Sequence, residues 1–173
     1  MSKINELLQE LESEAEATRR VLERIPTEHL GWRPHARSFT LGQLALHVAT
    51  IPGAIAGMSR QSPLQVPKFQ QPAATSAAEL VPALDASLAA ARRVLQDLDD
   101  AVLGETFEVV DGDRPVMTMP VGAVLRTIML NHWYHHRGQL CVYLRQLEIK
   151  VPSVYGPSAD ENPFAAAAAL ASV

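Results

Sequence analysis

Cysteine is nearly absent: 173 residues contain one, Cys141. A single thiol cannot close an internal disulfide, which excludes a disulfide-stapled scaffold and fits a reducing, cytoplasmic setting. Long apolar runs are missing too. The longest are too short or too interrupted to span a bilayer, so no membrane partner is expected. Residues 1–6 are polar and acidic, with no signal-peptide core. Charge of one sign does not dominate: the net value is −4, with acidic and basic residues interleaved. There is no basic stripe and no aromatic–basic interleaving, which argues against a nucleic-acid partner. No internal repeat is visible. What remains is a globular composition, 47% apolar and 20% charged, long enough for one domain with a substantial core.

Four amphipathic stretches account for most of the chain. Over residues 3–25, Ile4, Leu7, Leu8, Leu11, Ala15, Thr18, Val21, Leu22 and Ile25 form an apolar stripe that ends before Pro26. The connector that follows holds Trp32, Arg33 and Pro34, with Trp32 expected to plug one end of the core. Thr40 and Gln43 have the form of a capping box opening a second helix, 40–58, which Pro52-Gly53 should weaken or kink. Residues 59–75 carry Pro63, Pro67 and Pro72 and suggest a long surface connection. Ser76 and Glu79 form a second capping box before a third helix, 76–99, whose start Pro82 complicates. Two short β-prone runs flank Asp111-Gly112-Asp113, a hairpin pattern. A fourth helix is predicted over 120–148. The expected fold is all-α: a four-helix bundle with long connections and a small β-hairpin between helices 3 and 4. Residues 1–164 would form this domain, and 165–173 an Ala-rich tail.

The fourth helix holds His132-Trp133-Tyr134-His135-His136-Arg137-Gly138-Gln139. His132 and His136 are four apart, so they overlie on one helical face, where two imidazoles can grip one divalent ion. His135 is the competing partner at i, i+3. Positions 125, 128, 132, 136, 140, 143 and 147 line up as an apparent core stripe, which places both histidines among core positions. His47 shares an apolar face of the second helix with Leu44, Val48 and Ile51. His47, His132 and His136 would together give three nitrogen ligands and leave a position open, as catalytic sites do. Taken singly, each has a plainer explanation as a half-buried histidine bonded to a carbonyl or water. His29 and His35 lie in the connector, where exposed rings are expected.

Three pieces give a resemblance over nearly the whole chain. They are Trp32-Arg33-Pro34 with Ser38-Phe39-Thr40-Leu41-Gly42-Gln43-Leu44-Ala45-Leu46-His47, then the His132–Gln139 run, then Val151-Pro152-Ser153-Val154-Tyr155-Gly156-Pro157. In these the chain resembles the DinB/YfiT-like family of metalloenzymes. The histidine directly before Arg137-Gly138-Gln139 is the most specific signal and selects His136 over His135. The resemblance implies a four-helix bundle, a three-histidine site for a divalent metal such as nickel or zinc, and frequent homodimers. Its relatives include thiol-dependent S-transferases and a thiol-dependent isomerase using mycothiol, bacillithiol or glutathione.

The chemistry expected is a metal-dependent transferase in which a low-molecular-weight thiol attacks a small-molecule electrophile. The alternatives are a metal-dependent hydrolase, and a metal- or ligand-binding protein without turnover. No glutamate stands inside the histidine motif, which argues against a His-Glu-x-x-His hydrolase. Asn131, Gln43 and Gln139 are candidate partners for the outer ring nitrogens. Arg137 would hold a substrate carboxylate or a surface salt bridge. Tyr134 would pack or lie exposed, and Cys141 would be a small core residue off the histidine face.

Overall fold

The computed structural model describes residues 2–68 and 70–165; the expected tail, 165–173, lies outside them from residue 166 onward. Helix α1, Lys3–Leu22, starts at Ser2, whose hydroxyl accepts from Asn5 N–H. Helix α2 is Leu41–Met58, capped by Thr40, with both bonds of the Thr40–Gln43 box formed. The Ser76–Glu79 box caps a short 3-10 turn that leads into α3, Leu80–Gln96, so Pro82 falls in the first turn, where a missing N–H costs nothing. The fourth helix is continuous but built of three pieces: α4, Val121–Ala123; a π-helical stretch, Val124–Asn131; and α5, His132–Gln146.

Between α3 and α4 lies the expected hairpin, β2 (Thr106–Asp111) and β3 (Arg114–Pro120), turning at Gly112 with φ +62°. The sheet has a third strand. Leu64–Gln65 adds in parallel to Val109–Val110, so the connection after α2 is not purely a surface loop; this strand precedes the other two and is β1.

Pro52 does not kink α2 out of use. It deprives the Val48 carbonyl of its i+4 donor, and the indole N–H of Trp133 donates to that carbonyl instead, at 2.9 Å. One turn on, the Ser87 hydroxyl donates to Thr50 O and accepts from Gly53 N–H. Gly53 is required here: a Cβ would lie 2.7 Å from the Ser87 carbonyl oxygen. Two neighbouring helices therefore mend the proline break, and the mending fixes α2 against both. The core is the seam of α1, α2, α3 and the fourth helix, filled by residues such as Leu11, Leu44, Leu84, Leu88, Leu125 and Leu140. By length and composition α2 is apolar enough to cross a membrane, and half of that window is buried inside the bundle.

Candidate metal centre

The buried stripe of the fourth helix runs through Val121, Leu125, Met129, Trp133, Arg137, Leu140 and Leu144. This corrects the expected stripe. The π stretch packs more than 3.6 residues into each turn, so a 3.6-residue pattern drawn across it loses register. His132 and His136 lie beside the core seam, half-buried, facing α2. There His47, on α2, meets them.

The three Nε2 atoms converge. His47 Nε2 is 3.4 Å from His132 Nε2, which is 2.8 Å from His136 Nε2. The ring centroids are 4.5–5.2 Å apart. The outer nitrogens fix the tautomers. Backbone N–H of His132 bonds the carbonyls of Met129 and Thr127. The Ile128 carbonyl, which an α-helix would assign to that N–H, instead lies 3.2 Å from His132 Nδ1. A carbonyl only accepts, so Nδ1 carries the proton and Nε2 a lone pair. His136 Nδ1 is 2.7 Å from Gln139 Oε1, with the same consequence. The Gln71 side chain bonds the His47 ring.

Burial holds all three rings below the usual histidine pKa. His47 falls to about 4, through burial first and then the nearness of His136 and His132, against the opposing bond from Gln71. His132 and His136 are lowered by burial, partly offset by the Ile128 carbonyl and Gln139 respectively. At neutral pH the rings are uncharged, and two unprotonated nitrogens at 2.8 Å repel unless a cation lies between them. Nitrogens bound to one ion at about 2.0–2.1 Å sit roughly 2.9 Å apart at a right angle and 3.3 Å apart in a tetrahedron. The observed spacings match both, so these three residues could hold a divalent ion. The group holds no carboxylate.

Among the described residues the other histidines do not join this group. His135 is exposed, its ring 5.0 Å from that of His136. His35 is exposed and its Nδ1 accepts from Arg37 N–H, while His29 lies in a 3-10 turn. Of the candidate outer partners, Gln139 serves, whereas Asn131 is exposed. Gln43 acts one step removed, exchanging bonds with Gln71, each amide donating to the other's backbone carbonyl at 3.2 Å. Gln71 and the Ile128 carbonyl had no sequence signal. The first sits in a proline- and glutamine-rich connection, and the second depends on the π register.

Arg137 is not a surface pair but a buried one. It is 2% exposed, pairs with Glu14 at 2.6 Å, and donates to Thr18 Oγ1, Glu14 O and Tyr155 OH. The rings of Tyr134 and Tyr155 flank it. Tyr134 is half-buried and donates to Glu10. Trp32 packs edge-on against Tyr143. Cys141 lines a separate recess with Arg137 and Tyr155, and burial pushes its thiol pKa up. A recess of about 590 Å³ lies by the start of α1, and among the described residues no histidine lines it.

Comparison with known proteins agrees with this architecture. The family model described as the DinB family matches residues 1–163. The uncharacterized protein YrdA of Bacillus subtilis (strain 168) is 30% identical over 159 residues, 91% of each chain. The crystal structure of a DinB-like protein from Bacillus cereus superimposes with a TM-score of 0.68 at 29% identity, covering 86% of this chain and 95% of that one. A DinB-like protein of Bacillus subtilis, YjoA, gives a TM-score of 0.66 at 20% identity over 86% of this chain and 96% of its own, a likeness of fold.

Proposed function

The chain belongs to the DinB family, and we propose that it is a divalent-metal-dependent transferase that activates a low-molecular-weight thiol, with His47, His132 and His136 as the metal ligands. The observation that carries this reading is the convergence of three Nε2 atoms, with His132 Nε2 3.4 Å from that of His47 and 2.8 Å from that of His136. Uncharged imidazoles suit zinc or nickel. When bound, the ion would lower the pKa of a thiol or water beside it toward neutrality. The chain's own part is orientation: the Ile128 carbonyl and Gln139 hold the His132 and His136 rings with their Nε2 lone pairs inward, and Gln71 bonds the His47 ring. In the reaction, the thiol gives its proton to solvent, a sulfur–carbon bond forms on the electrophile, and the leaving group departs with its electron pair. The alternative is hydrolysis by water activated at the ion, which would need no protein base and no thiol. A homodimer is the proposed assembly.

The test is turnover of chlorodinitrobenzene by zinc- or nickel-loaded protein with glutathione, bacillithiol, mycothiol or no thiol. Consumption that needs both metal and thiol is expected. Turnover without thiol, or none with fully loaded protein, contradicts the proposal. Cys141→Ala should retain turnover, because its half-buried thiol lines a different recess from the one beside the histidines.

A further inference from the structure

A cavity of about 320 Å³ opens beside His47 and His132, between α2 and the connection that follows it. One face of α2 forms its floor: His47, Thr50, Ile51, Ala54, Ile55 and Met58 recur at three- and four-residue steps. Pro67, Gln70, Gln71 and Pro72 form the opposite wall. Among the described residues the lining holds no carboxylate, ammonium or guanidinium; its imidazole nitrogens are those of His47 and His132. The polar groups are largely committed elsewhere. The Thr50 hydroxyl donates to Leu46 O at 2.9 Å within its own helix. The Gln71 amide N–H groups donate to Gln43 O and Pro72 O. The cavity thus has one polar end, at the histidines, and an apolar body running toward Met58.

We infer that this cavity is a binding site for an uncharged, mostly apolar small molecule that places its single polar end against His47 and His132 and its body along α2. In the metal-free protein an ionised carboxylate or ammonium would give up its hydration there with no countercharge to replace it. The volume is at the small end of ligand sites, which fits a single ring or a short chain and not a peptide. The inference rests on the proposed function only in naming that molecule as the electrophile; the binding itself needs no metal.

The test uses benzyl alcohol as the probe, with benzoate and benzylammonium as charged counterparts of the same shape. Methyl signals of Ile51, Ile55 and Met58 are followed by NMR in metal-free protein. Benzyl alcohol should shift them saturably and bind about tenfold or more tighter than either ion. Ala54→Phe should fill the cavity and abolish those shifts while leaving zinc affinity unchanged. Absence of shifts with benzyl alcohol, equal binding of benzoate or benzylammonium, or unchanged binding to Ala54→Phe would each overturn the inference. The comparison of the three probes on wild-type protein stands even if Ala54→Phe fails to fold. A separate zinc titration keeps the two readings apart: alcohol binding without zinc binding sinks the proposed metal function and leaves the cavity's role intact.

Discussion

Burial pulls the pKa of His47 down to about 4 from the ordinary 6.5, and lowers those of His132 and His136 as well. In the unfolded chain all three titrate near 6.5, so between that pH and their folded values the unfolded state binds more protons. Stability from this source is complete above pH 6.5 and is lost as pH falls toward 4. The metal-free protein should show a falling urea midpoint over that window, and a variant with all three histidines replaced by glutamine should show a shallower fall. Equal slopes would contradict the account. At this scale the sequence was partly informative. An i, i+4 histidine pair and a third histidine on an apolar helical face are visible in the residues. The buried Arg137–Glu14 pair is not, because its partner lies 123 positions away. Nor does anything in residues 59–75 announce Gln71 as the partner of His47.

The two helices that carry the site are joined by repairs to their own irregularities. Pro52 frees the Val48 carbonyl, and Trp133, the neighbour of His132, donates to it. The π stretch ends at Asn131, directly before His132, and turns the Ile128 carbonyl onto the His132 ring. Trp133→Phe would leave the Val48 carbonyl buried without a donor, at a cost of about 1–3 kcal/mol. Since the same bond sets the distance between His47 and His132, metal affinity should fall with it. Thermal denaturation and metal titration of Trp133→Phe check both, and an unchanged melting temperature would remove this role for the indole. Capping boxes and the Asp111–Asp113 turn are local chemistry, so the starts of α2 and α3 and the hairpin could be placed from sequence. The π register and β1 could not. A π insertion leaves no compositional trace, and a two-residue strand draws its pairing from residues 45 positions on.

Across the whole molecule, the segment after α5 is strapped back onto the bundle by charge pairs, Glu161 with Arg20 and Arg24 and Asp160 with Arg145, and by a hydrogen bond from Arg137 to the Tyr155 hydroxyl. The outer pairs are partly exposed and each contributes little. Arg137 with Glu14 is the buried one, and Glu14→Gln would strand a guanidinium in the core beside His136. About 3–5 kcal/mol of stability should be lost, a drop in Tm of roughly 10 °C; a change within a degree or two would show that the pair is not structural. The bundle with its hairpin followed from hydrophobic period and turn chemistry, which act over a few residues. The arrangement of the seam, with Arg137 inside and the histidines at its edge, came from contacts between distant helices. The central claim concerns the metal, and the most direct measurement is the zinc or nickel content of the wild-type chain and its single histidine-to-alanine variants after dialysis. The account predicts about one ion per chain for wild type and His135→Ala, and loss of most of it in His47→Ala, His132→Ala and His136→Ala, since two imidazoles alone hold a divalent ion weakly. Retention of the ion in His136→Ala, or its loss in His135→Ala, would contradict it.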